Sequence, residues 1–228
     1  KLFLAQPTEP MYGLLPERAW NFGLSWIQKA TLMNRPFDFI LDVYRTQFTN
    51  RVVVDWETPG AISFYNLDGK SHAQSMQLTA NTSLNDRIDL RFAYKTFDIK
   101  TDYRSGLKRV PLQAENRWFA FVGYGSVLED GKQWRADATL HRVGRQRRLA
   151  SFTTPSDFAA GFSLLSMQLT RQFSNQLSVY VGAENLLDVK QTDAVLSSDD
   201  PFGAAFDSSQ LYAPVFGRML YAGFRFYL

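Results

Sequence analysis

The chain has 228 residues, with 25 basic and 22 acidic side chains for a net charge of +3, 15% aromatic residues and no cysteine. So small a basic excess implies no nucleic-acid groove, and the lack of cysteine excludes disulfides, thiolate metal sites and a cysteine nucleophile. No run approaches the roughly eighteen consecutive apolar residues of a membrane-spanning helix, and "LFLA" near the start is broken by Gln6, Pro7 and Glu9, so it is not a signal peptide.

Taken in chain order, the hydrophobic period is two almost throughout. Trp20, Phe22, Leu24 and Trp26 alternate with Asn21, Gly23 and Ser25. Phe37, Phe39, Leu41 and Val43 follow, and then Met76, Leu78 and Ala80 opposed to Gln77, Thr79 and Asn81. Ile88, Leu90, Phe92 and Tyr94 oppose Asp89, Arg91 and Lys95. The segment "NRWFAFVGYG" (116–125) is apolar on both faces, which leaves its orientation open. Trp134 to Leu140, Leu165 to Leu169, Leu177 to Ala183 and Leu220 to Leu228 complete a set of about nine strands. At roughly ten residues each they are long enough to cross a bilayer when tilted. No amphipathic helix of useful length interrupts them.

The fold class expected is therefore all-β, an antiparallel transmembrane β-barrel. A soluble sandwich would also alternate, but with shorter strands and an outer face rich in Lys and Glu. Here the polar face mixes Asp, Arg, Asn, Gln, Ser, Thr, Gly and Tyr, which suits a wet interior. Aromatic residues such as Trp20, Trp26, Phe37, Tyr94, Trp118, Tyr124 and Trp134 bracket the apolar faces, as interfacial belts do.

The connections alternate in length. Short links are expected at 31–36, 84–86, 128–132 and 174–175, and long ones near 55–71, 103–114, 149–160 and 189–214. Short periplasmic turns and long extracellular loops are the barrel pattern. On that pattern Leu228 ends in the periplasm and residues 1–17 precede the first strand on the outer side. Nine strands that begin outside do not close a single-chain barrel of even count. The expectation is that residues 1–228 are the C-terminal part of a barrel domain whose plug and earlier strands belong to a longer chain.

Three stretches resemble TonB-dependent outer-membrane receptors. "VYVGAENLLDVKQ" (179–191) resembles their penultimate-strand signature, with Gly182, Asn185, Leu186 and Asp188 matching and Leu187 where Phe or Thr is common. "DDPFGAAFD" with "LYAPVFGRMLYAGFRFYL" (199–228) resembles their last loop and closing strand in the form associated with Bacteroidota, although the terminal residue is Leu228 rather than Phe. "RTQFTNRVVVDWE" (45–57) resembles a strand-to-loop segment of the same group. The resemblance implies a plugged barrel of about twenty-two strands, of which these are the last nine. It further implies active import of a scarce ligand (a metal chelate, cobalamin, a glycan or a peptide), driven by the TonB complex acting on the plug. A passive porin and a structural barrel subunit of an envelope assembly are the alternatives.

Candidate sites follow. Leu220, Phe224, Phe226 and Leu228 on the final strand resemble the signal read by the barrel assembly machinery. Arg142, Arg145, Arg147 and Arg148 are expected at the outer end of a strand, against lipopolysaccharide phosphates. Asp89, Arg91, Asp137, Tyr180, Glu184 and Arg225 are expected to line the lumen and a substrate path. Asp193, Asp199, Asp200 and Asp207 fit no metal-loop spacing and are read as loop packing. Neither His72 nor His141 belongs to a hydrolase constellation, so no catalytic residue, metal or cofactor is assigned. Partners expected are outer-membrane lipid, TonB through the plug, the assembly machinery and a surface lipoprotein, with no nucleic acid.

Overall fold

The computed structural model describes residues 2–4, 13–32, 34–153 and 158–227. Ten antiparallel strands form one sheet among these residues, nine of them along a single meander and a short tenth paired to one of these off that path. In chain order the first elements are β1 (Leu2–Leu4), β2 (Arg18–Leu32), β3 (Arg35–Asn50), β4 (Val52–Asp55) and β5 (Ala61–Asn66). Next come β6 (Ser71–Asn85), β7 (Ile88–Tyr103), β8 (Gly106–Arg109), β9 (Asn116–Gly125) and β10 (Gln133–Val143). The last are β11 (Gln146–Arg147), β12 (Phe158–Ala159), β13 (Phe162–Gln172), β14 (Leu177–Glu184) and β15 (Met219–Phe226). The main sheet runs β15-β14-β13-β10-β9-β7-β6-β3-β2, each strand beside its neighbour in sequence, and it is not closed on itself. No described helix is long and apolar enough to cross a membrane, which says nothing about crossing by strands.

All nine expected strands are present, and their register locks one face of the sheet. Trp26 pairs with Leu41, Leu41 with Leu78, Leu78 with Tyr94 and Tyr94 with Trp118. Further along, Leu140 pairs with Leu165, Leu169 with Val181 and Val179 with Phe224. Paired residues share a face, so these apolar side chains form one continuous band. Leu24, Leu220 and Phe224 on this band remain more than 70% exposed, a surface that water does not tolerate and hydrocarbon does.

The undecided β9 is settled by its partners. Trp118 and Val122 sit opposite Tyr94 and Leu90 on the apolar face, while Phe119 and Phe121 join the polar one. Phe119 there packs edge-on against His141 at 5.1 Å between ring centres.

The first four strands of the main sheet exceed the expected ten residues, reaching 15 or 16. Beyond the apolar band their outward positions become Arg45, Gln74 and Asp98, then Gln47, His72 and Lys100. The hydrophobic signal stops there, but the hydrogen-bonded ladder continues into polar surroundings.

Turn chemistry follows the local sequence. In the β9–β10 link, Asp130 and Gly131 both have positive φ, as a two-residue hairpin turn of the primed type demands, with Glu129 and Lys132 exchanging backbone hydrogen bonds. The four long connections fold over one end of the sheet. β4 and β5 form a hairpin there, β1 adds to β5 in parallel, β8 pairs with β7, and β11 pairs with β12.

Candidate functional site: the loop layer and the polar face

The best-buried residues lie in the loop layer and at the loop ends of β6 and β7: Val53, Ile62, Tyr103, Ala114, Leu149 and Ala159, with Ser71, Thr101, Gln146, Arg147, Gln191 and Gln210 among the polar ones. A barrel wall is one strand thick and buries little by itself, so the loops supply the packed core of this chain.

Glu57, just after β4, is the hub of that layer. It accepts from Lys108 Nζ at 2.8 Å, and it also binds Arg147 and the Ser105 hydroxyl. Burial pushes its carboxyl up, but the hydrogen bonds from Lys108, Ser105 and Arg147 outweigh this and hold it below its ordinary 4.5. Arg147 further donates to the Arg109 carbonyl at 2.9 Å and lies over the Tyr103 ring at 5.4 Å. Arg148 pairs with Asp193 at 3.2 Å, and Arg145 with Glu115 at 2.7 Å.

The four arginines expected at the outer end of a strand part company in the structure. Arg147 and Arg148 turn into the loops, where Glu57 and Asp193 take their charges. Arg147 is buried there and Arg148 only partly exposed. Arg142 does project outward, paired with Trp118 and Ser163 in the register. A further cluster escaped the sequence reading: His72, Lys100 and Arg109 converge on Asp98 at 3.1, 3.2 and 3.1 Å.

The last long connection is held by two buried glutamines. Gln191 accepts from the Tyr212 and Ala213 amides through Oε1 and donates to the Gln210 carbonyl. Gln210 donates to the Leu149 carbonyl at 3.0 Å, tying this loop to the β10–β13 connection. Asp193 and Asp207 work as packing residues: Asp193 accepts from the Tyr212 hydroxyl, and Asp207 accepts from Ser209.

The signature after β14 has a structural meaning. Asn185 turns the chain at φ 49°, a left-handed conformation that Asn tolerates, and its amide binds Val189 on both sides and reaches the Phe216 carbonyl. Asp188, also at positive φ, accepts from the Arg218 amide at 2.8 Å. Together they fasten both ends of the last loop where β14 ends and β15 begins. Gly182 leaves room for Tyr221, whose hydroxyl donates to Gln168 at 3.1 Å; a Cβ there would lie 2.4 Å from the ring.

The six expected lumen residues share the polar face but are spread along it. Asp89, Gly123, Asp137, Gln168, Gly182 and Tyr221 form one cross-strand row. Arg91 lies over Phe121, and Arg225 over Tyr180, at 5.7 and 5.1 Å. Glu184 stands apart at the loop end, in an open hollow of about 430 Å³ with His141, Ser166 and Met219. Of the four assembly-signal residues, Leu220, Phe224 and Phe226 lie on the apolar face of the edge strand β15, whereas Leu228 lies outside the described residues.

Under the loops, a cavity of about 370 Å³ is lined by Arg51, Val53, Trp56, Tyr103, Leu112 and Leu149 among others. Arg51, Val53 and Trp56 lie in the 45–57 stretch quoted for its resemblance, but nothing in the sequence brought them together with Tyr103, Leu112 and Leu149, which come from other parts of the chain.

The family described as TonB dependent receptor-like, beta-barrel matches residues 3–186, more than half of the chain. This chain belongs to that family. Its members are outer-membrane TonB-dependent receptors, and the all-β sheet here is a part of such a barrel. The match ends before β15, so the family signal is carried by the earlier strands, including many that showed only alternation. No curated protein matches the receptor chain.

Among solved structures, the fold is similar to the ferric-catecholate import receptor Fiu of E. coli K12 in its closed form, with a TM-score of 0.67 and 14% identity. That alignment covers 100% of this chain and 30% of Fiu. The ferripyoverdine receptor of Pseudomonas aeruginosa gives a TM-score of 0.61 at 15% identity, covering 93% of this chain and 27% of its own. A mutant of the ferric enterobactin receptor PfeA from the same organism gives 0.62 at 13%, covering 94% and 32%. The chain thus spans about three-tenths of the length of these structures.

Proposed function

We propose that this chain forms the C-terminal part of a plugged barrel that imports a scarce ligand (a metal chelate, cobalamin, a glycan or a peptide) across a Gram-negative outer membrane, energised by TonB. One observation carries the reading: the register sorts the nine strands into an uninterrupted apolar face and a polar one, within a family of TonB-dependent receptors. The free edges of β2 and β15 support further strands that close the sheet, since a bilayer requires every backbone group to be satisfied.

The short-turn end of the sheet, where β15 finishes, faces the periplasm, and the loop layer faces outward. Leu220, Phe224 and Phe226, with Leu228, are read by the assembly machinery along the β15 edge. Arg142 binds lipopolysaccharide phosphate at the outer boundary of the apolar band. Asp89, Arg91, Asp137, Tyr180, Glu184 and Arg225 face the plug and the ligand path, and a surface lipoprotein is a further partner.

The test is growth of a deletion strain under iron, cobalamin, glycan or peptide limitation, with and without TonB. A defect under one limitation that loss of TonB reproduces supports the reading. A defect that is indifferent to TonB points to passive permeation and overturns it.

A further inference from the structure

The cavity beneath the loop layer has an electrostatic asymmetry. Its walls are mostly aliphatic, with Val53, Val110, Leu112 and Leu149 prominent, yet Arg51 stands at its margin. Arg51 Nη1 donates to the hydroxyls of Ser71 and Thr101 at 3.4 and 3.2 Å, and its guanidinium lies 4.8 Å above the Phe48 ring. Among the described residues no carboxylate forms an ion pair with it. The two acids nearest this region are already engaged. Glu57 is held by Lys108, Ser105 and Arg147. Asp55 accepts from the Tyr65 hydroxyl and the Glu57 amide.

Arg51 is part-buried, and among the described residues its Nη2 and Nε have no hydrogen-bond partner, which leaves a two-pronged donor edge open to an anion. A second donor stands nearby. Tyr103 is only 6% exposed and lines the same cavity, and its phenol makes no hydrogen bond among the described residues. The volume lies at the low end of small-molecule sites, roughly 300–1,000 Å³.

We infer that this cavity binds a small organic anion, a carboxylate on a flat apolar body. Arg51 meets the carboxylate as a two-pronged donor, the Tyr103 hydroxyl donates to it, and the aliphatic walls cover the rest. Such a group can be a free acid or one arm of a larger ligand, so the inference deepens the receptor reading by naming a ligand chemistry, and it rests on that reading for its biological meaning.

The test uses the full-length receptor in detergent, with benzoate as probe and uncharged benzamide as its near-isostere, each titrated by saturation-transfer NMR. Benzoate is expected to bind at least about ten-fold tighter than benzamide, the scale of one charge-assisted hydrogen-bonded contact. Arg51→Met abolishes that preference, Arg51→Lys restores part of it, and Tyr103→Phe weakens benzoate several-fold while leaving benzamide alone. Equal affinities for the two probes, or no binding of either to the unaltered receptor, overturns the assignment. So does a preference that survives Arg51→Met. Should that variant fail to fold, the probe comparison on the unaltered protein and Tyr103→Phe decide the matter. Because the titration needs no TonB, a failed growth assay leaves this result standing, and a failed titration leaves the transport assay standing.

Discussion

Replacing Arg147 with Met removes the charge at the centre of the loop layer while keeping most of its hydrophobic volume. The Arg147 side chain is 7% exposed and Glu57 17%, so the pair is largely desolvated. Removing one partner of a buried pair costs about 3–5 kcal/mol. Glu57 retains Lys108 and Ser105, and Lys108 is itself 40% exposed and weakly coupled, which brings the expected loss to about 2–3 kcal/mol. That loss is local, because the pair joins the β4–β5 connection to β11 and meets the nine-stranded meander at Tyr103, the loop end of β7. Hydrogen exchange of the receptor in detergent reads it directly: amides in 52–66 and 104–115 exchange roughly 30- to 150-fold faster, while those of β13 and β14 do not change. In a double-mutant cycle, Arg147→Met with Glu57→Gln costs less than the two single losses summed. Unchanged exchange in the loops, or an equal rise throughout the sheet, would falsify the account of Glu57 and Arg147 as the fastening of this layer.

Acid acts on the same hub. Since the folded Glu57 carboxyl sits below its ordinary 4.5, its contribution is complete above that value and is lost as pH falls through the lower folded one, so loop exchange accelerates only in that acidic window. A face test compares Val181→Arg on the apolar band with Thr139→Arg on the polar face: the first costs about 2–4 kcal/mol of folding stability in bilayers and the second little, measured by denaturant titration in vesicles. Equal costs refute the assignment of faces. Asn185→Ala removes hydrogen bonds to Val189 and Phe216 and places alanine at positive φ; a loss of about 1–3 kcal/mol, and faster proteolysis within 186–217, are expected. Gly182→Val drives Tyr221 off Gln168 and lowers stability by about 1–3 kcal/mol, with Tyr221→Ala in the same chain recovering part of it.

Alternation alone determined the strands, their number and the two kinds of connection, because a period of two acts over neighbouring residues and needs no partner to be read. Leu220, Ala222 and Phe224 must share a face whatever lies beside them. The β9 segment shows where that logic stops: Trp118 and Phe119 are equally apolar, and only pairing with Tyr94 and Ala93 decides which meets lipid. The polar face was legible for the same reason, which is why Asp89, Asp137 and Tyr180 are on it, but their dispersal along the sheet depends on strand shear, which no local pattern encodes. The arginine run shows the opposite dependence. A basic cluster looks solvated until the fold brings Glu57, ninety residues away in sequence, against Arg147. Ion pairs, buried glutamines and the cavity at Arg51 all join distant loops, so only the tertiary structure decides them.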